Sequence, residues 1–337
     1  MSTSTELSTP AGSEPAAQLP AGRGTARRAG RARRAGRAGR AGPRRRDRVA
    51  FLFYLFLAPW FVGLVLLTAG PLLGSLYLSF TRFNLLQPPV WNGFGNYVKM
   101  FTDDPRYLQS LKVTFIYVAL TVPLQLGFAL AVAVLLNRPL RGMAVYRSIY
   151  YIPSLLGGSV AIAVIWGQLF DDDGVLNAFL AFFGIGGRSW ISDPGTALYT
   201  LVLLNIWQFG SPMVIFLAGL KQIPQDLYDA ASVDGANAWR RFRSVTVPLL
   251  TPIIFFNVVL QIIQAFQAFT PAYVVSGGTG GPSDSTLFYT LYLYQQGFAH
   301  LNMGYASAMA WVLLLIIATF TLINFGLARR WVYYEDR

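Results

Sequence analysis

YDAASVDGANAWRRFRSVTVP, Tyr228 to Pro248, is a polar stretch set between two long apolar runs. A soluble-looking segment of this length, flanked by sequence suited to hydrocarbon and carrying Arg240, Arg241 and Arg243, reads as a cytoplasmic loop. Pro224 precedes the first of two short helices expected here, Asp226 to Asp234, and Asn237 is placed to cap the second, Ala238 to Val245. Gly235 stands at the break, where a left-handed backbone is cheapest. Helices this short do not hold in water alone, so the loop calls for a surface on a partner protein.

The flanks define the class. Hydrophobic residues make up 54% of the 337 and charged residues 12%, about half the charged share of a soluble domain. Runs of about 20 apolar residues, enough to cross a bilayer core, recur at Val49–Phe80, Val113–Leu136, Ala144–Phe170, Ala197–Leu220, Leu249–Val275 and Tyr305–Ala328. The expectation is an all-α integral membrane protein with six transmembrane helices over residues 49–330, followed by a short tail, 331–337.

Residues 1–48 hold twelve arginines against Glu6, Glu14 and Asp47, and no aromatic residue. Such a segment buries no core and is expected to be disordered. Beside a membrane its charge suits anionic lipid rather than nucleic acid. With the N-terminus inside, ten further basic residues fall on the inner face and five on the outer, namely Arg82, Lys99, Arg106, Lys112 and Arg188. That asymmetry puts both termini in the cytoplasm. The first apolar run is too long for a cleaved signal core. With no cysteine, disulfides are excluded.

Three segments join the spans on the outer side. Asn84 to Leu108, rich in Pro, Gly, Asn and Trp, is expected to be a turn-rich cap. Gly174 to Gly184 is apolar but short, and should lie in the interface. SGGTGGPSD, Ser276 to Asp284, resists helix and strand alike, and reads either as a linker or as a gating or docking element.

None of the six spans contains Asp or Glu, and His300 lies outside them, so no site for a coupling ion is visible. No Gly-Lys-Ser/Thr occurs either, which excludes a phosphate-cradling loop. Energy arrives from another subunit, or the chain is a passive channel. No catalytic or metal-ligating set is expected.

Asp229-Ala230-Ala231, three residues, Gly235, nine residues and Val245-Thr246-Val247-Pro248 closely resemble the EAA loop of permease subunits in bacterial binding-protein-dependent ABC importers. Asp replaces the family's Glu, and Val its Ile and Leu. The stretches SLYLSFTRFNLL (75–86), GFGNYVKMF (93–101), LNRPLRG (136–142) and FLAGLKQIPQDLYDAASVDGA (216–236) are similar to carbohydrate-uptake permeases of the maltose F-type or glycerol-phosphate A-type. The resemblance implies the type I importer permease fold, with Leu227, Tyr228, Asp229, Ala230, Ala231, Gly235, Val245 and Pro248 in a loop seated on an ATP-binding subunit. It also implies a second permease subunit forming a heterodimer, two ATP-binding subunits and an extracytoplasmic solute-binding protein, with no cofactor of the chain's own because ATP is bound by those partners. A sugar or related polyol is the implied solute; a non-sugar solute and a passive channel are the alternatives.

For a solute path the signal is uncharged polarity within spans. Gln261, Gln264 and Gln267 recur at three-residue spacing on the fifth span, and Trp207, Gln208 and Ser211 lie on the fourth. Amides in hydrocarbon need partners or water, so these residues either face a cavity suited to sugar hydroxyls or hold helices together. Pro123, Pro153, Pro212 and Pro271 read as kinks.

Overall fold

A backbone crossing hydrocarbon must satisfy its amides within its own segment, and the apolar runs accordingly fold as helices in the computed structural model. It describes residues 43–138 and 142–333, and the side chains from residue 53 onward. The Arg-rich tail through residue 42, residues 139–141 and residues 334–337 lie outside the described residues. The described residues divide after Pro59 into two units.

Helix α1 covers Pro43–Gly63, so it begins within the stretch assigned above to the tail; a π-helical turn, Leu64–Ala69, leads to α2, Gly70–Ser79. An antiparallel hairpin follows, β1 Thr81–Arg82 paired with β2 Val90–Trp91, then α3 Gly95–Thr102 and α4 Pro105–Leu136. Next come α5 Met143–Leu156, α6 Val160–Leu169, α7 Val175–Phe182, α8 Ala197–Trp207 and α9 Gly210–Leu220. The polar loop forms α10 Gln225–Val233 and α11 Ala238–Arg241, continued by a π-helical turn, Phe242–Thr246, into α12 Val247–Phe266. Helices α13 Thr270–Val275, α14 Tyr289–Tyr294 and α15 Met303–Trp331 complete the described chain.

Four stretches are long and apolar enough to cross a membrane: Phe53–Ser79, Pro105–Leu136, Ala238–Val275 and Met303–Trp331. Two bent pairs, α5 with α6 at 97° and α8 with α9 at 41°, bring the number to six when each pair is one span. The third and fourth spans are thus bent near Pro153 and Pro212, two of the residues read as kinks, and the third is broken outright. Pro153 removes a helix donor in α5, and Gly157-Gly158 supply no side chain to pack across the bend. The chain then restarts because Ser159 caps α6, its Oγ accepting from the Ile162 N–H at 3.3 Å. The second span also starts earlier than Val113, at Pro105, with Asp104 as its cap.

Helix α4 is the centre of the bundle, packed against α8, α9 and α12, while α2 packs along α15. Hydrophobic burial does little between helices in lipid, so close packing of small residues matters more. Gly210 is the tightest instance at the α5–α9 contact: a Cβ there would meet the Tyr150 carbonyl oxygen at 2.8 Å and the Tyr151 Cα at 2.9 Å. Buried Tyr117, Met213, Phe216, Leu250 and Phe266 fill the core around it.

The turn-rich segment after α2 is more ordered than its Pro and Gly content suggests. Helix α3 forms beyond Gly93, and Asn96 Nδ2 donates to the carbonyls of Ser79 (2.8 Å) and Thr81 (2.9 Å). In the short apolar segment, Asn177 of α7 ties the surrounding loop by donating to the carbonyls of Asp172 and Arg188, both at 2.9 Å. The Gly-rich segment is also tied down. Arg106 grips Asp284 through Nε (3.0 Å) and NH2 (2.7 Å), and Gln295 Nε2 donates to the Gly278 carbonyl at 2.7 Å.

Candidate functional site

The loop Tyr228 to Pro248 is built as its sequence suggests, with one change. Helix α10 ends in a Schellman closure: the Ala236 N–H reaches the Ala231 carbonyl at 2.9 Å, the Gly235 N–H reaches Ser232 at 3.0 Å, and Gly235 has φ +76. Only a residue at ease in the left-handed region fits that corner. Asn237 Oδ1 accepts from the Arg240 N–H at 2.8 Å and opens α11. The change is that α11 does not stop at Val245. It runs on through the π turn into α12, so Val245 and Pro248 belong to one helical rod with the fifth span.

Two faces of α10 differ. Tyr228 is half-buried, its hydroxyl 3.0 Å from Thr246 Oγ1, and Ala231 is partly covered. Leu227, Ala230 and Val233, spaced by three residues and therefore neighbours on the helix surface, are exposed, Val233 to 88%. Asp229 is exposed as well and accepts from Gln225 Nε2 at 3.1 Å. Trp239 and Phe242 stack at 5.7 Å between ring centres, with Trp239 exposed.

The breaks in three spans meet at one place. Gly157 and Gly158 between α5 and α6, Gln208 between α8 and α9, and the Ala268–Pro271 segment between α12 and α13 all line a cavity of about 180 Å³, together with Tyr117, Asn205 and Gln264. Breaking a helix frees carbonyls, and they are answered locally. Gln208 Nε2 donates to the Gly157 carbonyl at 3.1 Å, while the Gln208 carbonyl accepts from Ser154 Oγ at 2.9 Å and Gln125 Nε2 at 3.2 Å.

Of the six residues singled out for a solute path, Gln208 and Gln264 reach this cavity and four do not. Gln261 is buried at 7% exposure, and Gln267 is exposed at the C-cap of α12. Trp207 packs beside Trp166, 6.1 Å between ring centres, and Ser211 is exposed with its N–H on Ser154 Oγ at 3.0 Å. Tyr117, Asn205, Ser154 and Gln125 were missed because single polar residues in apolar runs carry no spacing signal. A second polar centre was missed too: Asp104 Oδ1 accepts from the Tyr107 N–H at 3.0 Å, and Oδ2 from Tyr292 OH at 2.7 Å and Tyr305 OH at 2.6 Å. Burial first, then Asp104 itself, push the Tyr292 phenol upward, which keeps it a donor.

An all-α bundle of broken and unbroken spans, with a two-helix polar loop between the fourth and fifth, is the architecture of a membrane transport component. The chain belongs to the family of binding-protein-dependent transport system inner membrane components, whose model matches residues 105–333. It is 53% identical over 294 residues to the probable ABC transporter permease protein YesP of Bacillus subtilis (strain 168), covering 87% of this chain and 94% of that one. It is also 33% identical to the lactose transport system permease protein LacF of Rhizobium radiobacter, over 82% of this chain and 93% of LacF. Its fold is shared with a chain of the bacterial alginate ABC transporter solved in complex with an alginate pentasaccharide-bound periplasmic protein. That match has a TM-score of 0.72 at 20% identity and covers 85% of this chain and 96% of the other. The protein is therefore an integral membrane permease subunit, a transport component rather than an enzyme.

Proposed function

We propose that this permease imports a sugar or a closely related polyol by alternating access, driven by ATP hydrolysed on separate subunits. The observation that carries the reading is the meeting of three helix breaks at one small cavity walled by amides and aromatic rings. Discontinuous helices are where transporters hold solute, amides offer both donors and acceptors to hydroxyls, and Tyr117 and Phe269 provide rings for an apolar sugar face. Relatives bearing sugar-transport names, lactose and arabinooligosaccharides among them, support the same solute class.

The assembly that fits is a heterodimer with a second permease subunit, two ATP-binding subunits and an extracytoplasmic solute-binding protein, with both termini of this chain inside. The exposed face of α10, Leu227, Ala230 and Val233 with Asp229 beside it, supports a seat on an ATP-binding subunit. Uptake by the complete complex in proteoliposomes should require ATP and persist when an uncoupler collapses the proton gradient. Uncoupler-sensitive accumulation without ATP overturns the proposal.

The cavity makes a finer distinction among the glutamines. Gln264→Leu strands sugar hydroxyls at a cost of about 1–3 kcal/mol, which is roughly a 5- to 150-fold loss of uptake. Gln261→Leu, away from the cavity, should leave uptake near wild type and act on thermal stability instead. Equal transport by Gln264→Leu and wild type would remove the cavity from the solute path.

A further inference from the structure

Another cavity, of about 400 Å³, lies at the loop end of the bundle and shares no lining residue with the first. Its lining combines the apolar Val134, Leu220 and Phe242 with Arg138, Arg241 and Gln225. Val134 belongs to the last turns of the α4 span and Leu220 ends α9. The cavity is thus at the level where hydrocarbon gives way to headgroups.

Among the described residues neither guanidinium is paired with a carboxylate. Among the described residues the ion pairs are Arg106–Asp284 and Arg188–Asp193, and Arg241 donates only to the Ser232 hydroxyl. Guanidinium forks match phosphate oxygens, and basic pockets between spans near the cytoplasmic surface suit anionic lipid headgroups. A zwitterionic headgroup would set its own cation against two arginines.

We propose that this cavity binds the headgroup of an anionic phospholipid, with its phosphate between Arg138 and Arg241 and its glycerol end against Val134 and Leu220. The site is compatible with a seated loop, because the half-buried Tyr228 lines the cavity while Leu227, Ala230 and Val233, which do not line it, remain exposed. The lipid would then join the end of α4 to α10 and α11, bracing the loop on the membrane side.

The test uses the complete transporter in nanodiscs of mixed phosphatidylcholine and phosphatidylglycerol, with retained lipid counted by native mass spectrometry. At about fivefold preference per arginine, wild type should favour phosphatidylglycerol at this site roughly 30-fold. Arg138→Gln with Arg241→Gln should lose that retained lipid, whereas the paired Arg→Lys variant should keep most of it. If the glutamine pair fails to assemble, Arg138→Gln alone should still lower the preference about fivefold. Retention equal to wild type in the glutamine variants overturns the proposal. In pure phosphatidylcholine discs, inorganic phosphate should not reproduce the thermal stabilisation that phosphatidylglycerol gives wild type. Full reproduction would assign the site to soluble phosphate and reject the lipid.

Discussion

Uptake is expected to fall to background in Gly235→Val and in Ala230→Trp, while both proteins should reach the membrane in near-normal amount. Nothing lies within 4 Å of a Cβ built on Gly235, so the fault is not a clash but its φ of +76. A left-handed backbone costs an ordinary residue about 1–2 kcal/mol, more when β-branched, and the corner between α10 and α11 opens. Gly235→Asn, whose side chain tolerates that region, should keep most uptake. Ala230 is exposed, so Trp there does not disturb folding and acts only on what the helix must enter. Solute uptake and ATPase activity stimulated by the loaded binding protein should fall together; wild-type values for Gly235→Val and Ala230→Trp would remove α10 as the coupling element.

A comparable effect on stability is expected at Asp104. Asp104→Ala removes the cap of α4, worth about 1 kcal/mol, and leaves the buried hydroxyls of Tyr292 and Tyr305 without their acceptor, at about 1–3 kcal/mol each. The solubilised complex should melt roughly 5–10 °C lower, and Asp104→Asn, which keeps an acceptor and the cap, should recover about half of the loss. An unchanged melting temperature for the alanine variant would mean that the phenols find water or other partners.

Much of this was legible in the chain. The apolar runs gave the spans because a membrane leaves a backbone so few options, and Gly235 and Asn237 marked the corner and cap of the polar loop by the chemistry that turns and caps demand. The breaks were not legible in the same way. Hydropathy passes unaltered through Ile149 to Leu169; Pro153, read as a kink, marked the neighbourhood of the bend, while Gly157-Gly158 and the N-cap at Ser159, where the third span restarts, went unread. The glutamines part company for a geometric reason. Three residues advance a helix by about 300°, so the side chains drift around the rod, and Gln261 turns inward while Gln264 reaches the cavity. Asp104 escaped notice because it precedes the apolar run by several residues, and its two phenol partners come from α14 and α15, far along the chain.

The π turn at Phe242–Thr246 makes the loop and the fifth span mechanically one piece. From Ala238 to Gln264 the rod is about 40 Å long, with the Gly235 corner to α10 at one end and a cavity amide at the other. A tilt of about 6° about the Ala238 end would carry Gln264 sideways by about 4 Å, well beyond the tolerance of a hydrogen bond. On the function proposed above, a small rocking of α11 would make or break a solute contact at Gln264, with continuous helix between the two.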